Sequence, residues 1–374
     1  MVDLKQEMIW TGVAVWLLSA AACSRPNEVA PRLVLIDSDP APVLSVRTPD
    51  AQGNRYGFEG GRVVKLEDGY HLFTSEMAGD PVWVKMRLAH WTSPDGLQWH
   101  RNATLFESSG NDDGTDPRAA LWSPLPVFDP DQDVWNLFYV AYRAAPNTDA
   151  QFRVNQQGRI WRAVSETPGH GGIGGPYRDV GVVLQPDDES EPWEGLQGTD
   201  SFFPYRVGES WYALYGSAHS ETRPIRSWLV GLAAAPALAG PWKRRAELNP
   251  VPIEKVFIEN PIVLHDRSGT FLAVYDNQPE GAIGYSFSSD GLNWHPGRSL
   301  KMSGADGTWA ADIRTPLGLV PEERNVYTVF FTGFETPPDW DQIFRGKMQT
   351  TCAVGRARVR LVWEPVNPYK GTSQ

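Results

Sequence analysis

The feature that most constrains this chain is a plan of short β runs that recurs five times. R-V-V-K-L-E-D-G-Y-H-L-F-T (62–74) sets two β-rich stretches around Glu67-Asp68-Gly69, a pattern that specifies a hairpin. The plan returns at 124–142, 201–215, 260–275 and 315–332. A third β run follows each hairpin and ends near a Trp or Tyr. Two endings nearly coincide, S-P-D-G-L-Q-W-H (93–100) and S-S-D-G-L-N-W-H (288–295). Two others share G-G-P-Y (174–177) and A-G-P-W (239–242), and the fifth closes in R-L-V-W-E-P (360–365). Nothing after residue 50 has a sustained helical period. A long internal period with about four strands per unit is the mark of a β-propeller, because each small sheet buries its faces only against its neighbours. The expected fold is all-β, a five-bladed β-propeller.

Composition narrows the function. The 374 residues include 16 Trp, 12 Tyr and 15 Phe, enough for a large core. With 45 acidic and 34 basic residues the formal net charge is -11, which is unsuited to electrostatic capture of nucleic acid or anionic lipid. The two cysteines, Cys23 and Cys352, exclude a disulfide framework and a Cys-based zinc site. The seven histidines have no metal-ligand spacing, so no metal site and no cofactor are expected, a structural calcium or water in a central channel apart. Residues 8–22 are apolar but too few to span a bilayer comfortably, and they end in small residues before Cys23. This resembles a bacterial lipoprotein signal: 1–22 the signal peptide, Cys23 the lipidated residue, 23–50 a tether and 51–374 the propeller domain. The resemblance implies a cell-envelope location, lipid-anchored or secreted, with membrane contact only through the anchor.

In a propeller the first strand of every blade lines the central channel, so residues at the starts of those strands converge however far apart they lie in sequence. Blade one starts F-E-G-G-R with Glu59 and Arg62. Blade two starts D-P-R-A-A-L-W-S-P with Asp116, Arg118 and Trp122. Blade three supplies Asp200, blade four Glu259 and Asn260, and blade five Trp309, Asp312 and Arg314. Carboxyls crowded in a confined mouth cannot all ionise, so one keeps its proton while another stays a base. Glycoside hydrolysis requires such a pair. Trp122 and Trp309 are expected as platforms for sugar faces. Arg62, Arg118, Asp312 and Arg314 are expected to hold hydroxyls, or a carboxylate or sulfate on the sugar.

At these positions the chain resembles the five-bladed propeller glycosidases of glycoside hydrolase family 43, over roughly residues 50–366. The resemblance implies a Glu/Asp/Glu catalytic set and an inverting mechanism on a poly- or oligosaccharide. Glu59 would be the base, Asp200 the residue that tunes and orients, and Glu259 the acid. The W-S-P at 122–124 is similar to the family's W-A-P. Glu59-Gly60-Gly61 stands where that family has Asp-Pro, E-N-P replaces E-G-P, and blade five has Arg314 near the place where many members hold a His. The chain therefore resembles a divergent relative.

Two other readings fit the same scaffold. A non-catalytic, surface glycan-binding lipoprotein needs the aromatic platforms but not three acids in one mouth. A glycoside phosphorylase needs a basic phosphate pocket, for which Arg62, Arg118 and Arg314 are the candidates. The D-G-L-x-W-H turns resemble the Asp-boxes of sialidases and are expected to be structural, with Trp99 and Trp294 packed between blades. The Gly-rich run at 169–176 lacks the setting of a phosphate loop and is expected to be a flexible loop over the face.

Overall fold

A computed structural model describes residues 29–277, 281–302 and 309–365. The signal segment and Cys23 lie outside the described residues. Residues 31–362 form one compact unit, built from five four-stranded antiparallel sheets arranged as the blades of a propeller. Blade one is β2 (Phe58–Leu66), β3 (Gly69–Met77), β4 (Met86–Ser93) and β5 (His100–Glu107). Blade two is β6 (Ala120–Asp129), β7 (Val134–Arg143), β8 (Gln156–Ser165) and β9 (Tyr177–Leu184). Blade three is β10 (Asp200–Val207), β11 (Ser210–Ala218), β12 (Trp228–Ala235) and β13 (Lys243–Arg244). Blade four is β14 (Glu259–His265), β15 (Phe271–Asn277), β16 (Ala282–Ser288) and β17 (Arg298–Leu300).

Blade five differs in origin. It consists of β18 (Asp312–Glu323), β19 (Val326–Phe334) and β20 (Cys352–Pro365), with β1 (Val29–Ser38) as its outer strand. This corrects the reading of 23–50 as a tether. The third strand of blade five comes near the end of the chain and would present an open edge, a row of unpaired backbone groups. The first strand among the described residues, β1, pairs with that edge and closes the ring. The link to blade one is also packed: Leu44 and Ala51 are buried with Phe58, Trp91 and Phe330. The propeller therefore begins near residue 31, not at 51.

The core lies between blades. Strands β3 and β15 are buried along their whole length, β15 with the apolar run F-L-A-V-Y and β3 with His71, Thr74, Ser75 and Glu76 buried among its apolar residues. The outer strand β5 alternates toward solvent. The D-G-L-x-W-H turns take the structural role expected of them. Asp95 Oδ1 accepts the N–H groups of Leu97 and Gln98 at 2.8 and 3.0 Å, and Asp290 Oδ1 those of Leu292 and Asn293 at 2.8 Å. Trp99 sits edge-on to Phe330 of blade five, and Trp294 edge-on to Tyr205 of blade three. The Gly-rich run is not a loose loop. His170–Gly174 forms a short 3-10 turn whose Ile173 is buried with Phe73 and Tyr139 between blades one and two.

Candidate active site

The first four inner strands share one local device. Pairing to the second strand slips within the first three residues of the inner strand: after Glu59, Trp122, Asp200 and Glu259. The next residue is left-handed in each case, with φ of 64° at Gly60, 52° at Ser123, 45° at Ser201 and 48° at Asn260. A bulge of this kind re-aims the side chain before it. Here it turns four side chains from four blades into the channel. The bulge residues also meet one another. Ser123 Oγ and Ser201 Oγ donate to Asn260 Oδ1 at 2.9 and 3.3 Å, and the Asn260 N–H donates back to Ser201 Oγ at 3.1 Å. Gly60 lies against Ser123 so closely that a Cβ would stand 2.6 Å from its Oγ. This explains Glu59-Gly60-Gly61 where the resembling family has Asp-Pro. Gly60→Ala is expected to cost at least about 1–2 kcal/mol from the left-handed backbone alone, read as a lower denaturant midpoint. A midpoint equal to wild type would mean the bulge relaxes without loss.

Glu59, Asp200 and Glu259 line one small cavity of about 20 Å³, together with Trp83, Trp122, Ser123, Tyr142, Gln197, Trp228, Asn260 and Arg314. All three carboxyls are buried, at 3%, 3% and 8% exposure. Burial raises Asp200 from its ordinary value, against hydrogen bonds from the Tyr142 hydroxyl and the Ser201 N–H. Burial also pushes Glu259 well up. Arg314 opposes that shift, and the charges of Asp200, Asp276 and Glu59 reinforce it. Glu259 is therefore the group best placed to hold a proton at neutral pH.

Arg314 organises the cavity. Its Nε lies 3.1 Å from Glu59 Oε1 and 2.9 Å from Asp276 Oδ2, and its Nη2 lies 3.0 Å from Glu259 Oε2. Thr315 Oγ1 donates to Glu59 Oε1 at 3.1 Å. The guanidinium carbon also sits 5.3 Å from the Trp83 ring centre and 5.1 Å from that of Trp340. Burial alone would weaken the guanidinium's hold on its proton, but the three carboxylates outweigh it. Arg314 thus stands where a cation would be needed, and no group of three or more His, Cys, Asp or Glu among the described residues is placed to hold a metal. Glu59 Oε2, Gln197 Oε1 and Arg314 Nη1 are buried without a hydrogen-bond partner. Each such atom costs about 1–3 kcal/mol, so these three are ready for a water or a ligand hydroxyl.

Asp276 was not foreseen. It is the last residue but one of β15, directly opposite Glu259 in the ladder, and is fully buried. Burial raises it to about 7, with Arg314 opposing and the charge of Glu59 adding. Its folded value lies above its free value of 3.8, so the folded chain keeps a proton that the unfolded chain has already released. That contribution to stability is whole below about pH 3.8 and is lost as the pH climbs toward 7. Asp276→Asn is expected to flatten the fall of Tm between pH 4 and 7 relative to wild type. The same slope in both chains would place that proton on another carboxyl.

The remaining expected site residues do not line this cavity. Arg118 precedes β6 and its Nη1 pairs with Asp179 at 2.7 Å, stacked over Trp161. It is spent between strands of blade two. Arg62 lies four residues along the chain from Phe58, the first residue of β2; it donates to Pro126 O at 2.7 Å and rests on Phe203, and burial lowers it to about 10. Trp309 stacks on Phe331 of β19, against Gly333 and Gly355. Asp312 is half-buried at the start of β18, and burial raises it. The phosphate pocket imagined for Arg62, Arg118 and Arg314 is therefore not assembled. Cys352 is a buried core residue.

Beside the cavity runs a groove of about 360 Å³ that shares Trp83, Trp228 and Arg314 with it. Its other walls include Phe152, Phe257, Trp340 and Phe344. Trp340 and Phe344 belong to the short helix α1 (Trp340–Phe344) in the β19–β20 connection. Trp340 packs on Trp83 of blade one, Phe344 on Phe152 of blade two, and Asp341 pairs with Arg223 of blade three.

No protein-family model and no curated protein matches the chain. Solved structures do. A family 117 glycoside hydrolase of the marine bacterium Zobellia galactanivorans aligns with a TM-score of 0.58 at 12% identity, over 93% of this chain and 96% of that one. A family 32 β-fructofuranosidase of Bombyx mori aligns with a TM-score of 0.55 at 14% identity, over 88% of this chain and 66% of that one. An exo-β-1,3-galactanase of Phanerochaete chrysosporium, solved with β-1,3-galactotriose, aligns with a TM-score of 0.51 at 12% identity, over 90% of this chain and 65% of that one. The chain spans about two thirds of the latter two proteins. At such identities the likeness establishes architecture: this chain is a divergent five-bladed β-propeller with the fold of these glycoside hydrolases.

Proposed function

We propose that the chain is a glycosidase acting on a poly- or oligosaccharide with inversion at the anomeric carbon. The observation that carries this is the gathering of Glu59, Asp200 and Glu259, from three blades, into one buried cavity. In the proposed mechanism Glu259, kept protonated by burial, gives its proton to the glycosidic oxygen as the C1–O bond breaks. A water on the opposite face of the sugar attacks C1 and loses its proton to the Glu59 carboxylate. Arg314 and Thr315 hold Glu59 in place. Asp200, fixed by Tyr142 and the Ser201 N–H, adds negative charge that helps keep the proton on Glu259. The carbohydrate bound by the galactanase neighbour supports the substrate class.

The phosphorylase reading loses its physical basis, since the cations it needs lie apart or are neutralised. A glycan-binding protein without turnover remains the rival. Incubating the chain with a poly- and oligosaccharide panel, with and without inorganic phosphate, separates all three. Phosphate-independent release of reducing sugar is expected. Binding with no release would favour the rival, and sugar 1-phosphate would restore the phosphorylase.

A further inference from the structure

We propose that Asp276 is a positioning residue of the proposed reaction: from its place across the β14–β15 ladder it steadies the guanidinium on which Glu259 rests, and its charge keeps the proton on that acid as the pH rises above neutral. This rests on the glycosidase reading of the cavity and goes beyond it by giving a fourth carboxyl a task of its own.

Placement comes first. Glu259 and Asp276 are direct partners in the antiparallel ladder. Their side chains therefore leave the sheet on the same face, with Cβ atoms about 4.5–5.5 Å apart. Both end on Arg314. Its Nε–H donates to Asp276 Oδ2 at 2.9 Å, and its Nη2 donates to Glu259 Oε2 at 3.0 Å, a bond that a protonated Glu259 still accepts through its carbonyl oxygen. Thr315 Oγ1 lies 3.1 Å from Glu59 Oε1 and 3.5 Å from Asp276 Oδ2. Asp276 is not among the residues that line the cavity, so it acts on a substrate only through these neighbours.

The residue type comes next. Accepting the Nε–H of Arg314 needs only an oxygen, and an Asn amide would supply one without burying a carboxyl. The chain instead buries Asp276 fully and leaves its Oδ1 without a partner, at a cost in stability. What an acid adds over the amide is charge.

The charged and titratable groups facing the two carboxyls are Arg314 and Asp312 of β18, Glu59 of β2, Asp200 of β10 and Tyr142 of β7. With Glu259 protonated, Arg314 faces Glu59 and Asp276. Below about pH 7 Asp276 keeps its own proton, and the guanidinium balances Glu59. Above that pH Asp276 ionises and sets one further negative charge beside Glu259. A like charge at this range opposes ionisation of the acid, and the charge of Asp276 adds to the upward shift of Glu259. The charge thus arrives in the pH range where the acid is at risk of losing its proton.

NMR of the chain with glutamate isotope-labelled at the side-chain carboxyl carbon follows the Glu259 titration without substrate, its resonance identified by its absence from the Glu259→Gln chain. In Asp276→Asn the midpoint is expected about one pH unit or more below wild type. Asp276→Ser, smaller and equally neutral, serves if the Asn variant unfolds. Turnover gives a second readout. On an oligosaccharide, the alkaline limb of kcat should move down with that midpoint, while KM and the acid limb stay in place. On an activated aryl glycoside, whose leaving oxygen needs little protonation, the alkaline limbs of variant and wild type should coincide. A Glu259 midpoint that is unchanged or rises overturns the proposal. So does an alkaline limb that moves equally on both substrates, because the effect would not then run through the acid. A lowered midpoint in a chain that cleaves no glycoside sinks only the glycosidase reading. Turnover with an unmoved midpoint sinks only the role of Asp276.

Discussion

Glu259→Gln is expected to lose turnover by about 10²–10⁴-fold, the usual worth of a positioned proton donor, while unfolding at close to the wild-type temperature. The expectation follows from burial. Glu259 leads β14 and is turned into the channel by the bulge at Asn260. Desolvation raises it well above the carboxylate range in spite of Arg314. Gln keeps the shape and can still accept from Arg314 Nη2, so the cavity survives, but it has no proton to give the leaving oxygen. Glu59→Gln should fail as severely for the opposite reason, the loss of a base. Substrates with a good leaving group discriminate between them. An activated aryl glycoside should recover much of the rate in Glu259→Gln, because its leaving oxygen needs little protonation, and should not in Glu59→Gln. Near-wild-type turnover by either variant removes that residue from its role.

Arg314→Met is expected to be the most destabilising single change in the channel, about 3–5 kcal/mol, as for a buried ion pair deprived of one partner. Arg314 is the counter-charge to Glu59, Glu259 and Asp276, and all four side chains are almost fully buried. The deficit should depend on pH in a definite direction. Arg314 opposes the upward shifts of Glu259 and Asp276. Removing it lifts both further above their unfolded values, so the folded chain must either hold more protons or bury more charge. Protons are available at low pH and scarce at high pH, so the loss of stability relative to wild type should be largest near pH 8 and shrink toward pH 5. Paired denaturation curves at the two pH values measure it. A deficit that is constant or grows as pH falls would mean the carboxylates do not depend on this guanidinium.

The fold and part of the site are legible in particular residues. The five-fold hairpin plan specified the architecture, and the starts of the inner strands supplied Glu59, Trp122, Asp200, Glu259 and Arg314, all of which line one cavity. The misses share a geometric cause. In an antiparallel blade the end of the second strand and the start of the third lie at the same rim as the start of the first. Tyr142 is the last residue but one of β7 and Asp276 of β15, while Trp228 opens β12. Trp83 and Trp340 come from the loops between second and third strands. A signal for Asp276 existed, an acid closing the apolar run F-L-A-V-Y-D-N, where a solvated turn would not follow so many buried neighbours. Arg118 misled because blade two turns into the channel at Trp122; the residues before β6 pack outward, on Asp179. Trp309 misled in the same way, settling on Phe331. The role of residues 29–38 was hidden because a closing strand pairs with a partner more than 300 residues away, and no local pattern records such a pairing.

The most direct test of the central claim follows the anomeric protons by NMR while the wild-type chain acts on an oligosaccharide that it binds. Sugar first released with the anomeric configuration opposite to that of the bond cleaved, and no release by the Glu259→Gln chain, is the predicted result. First-formed sugar of retained configuration, or equal release by both chains, would contradict it.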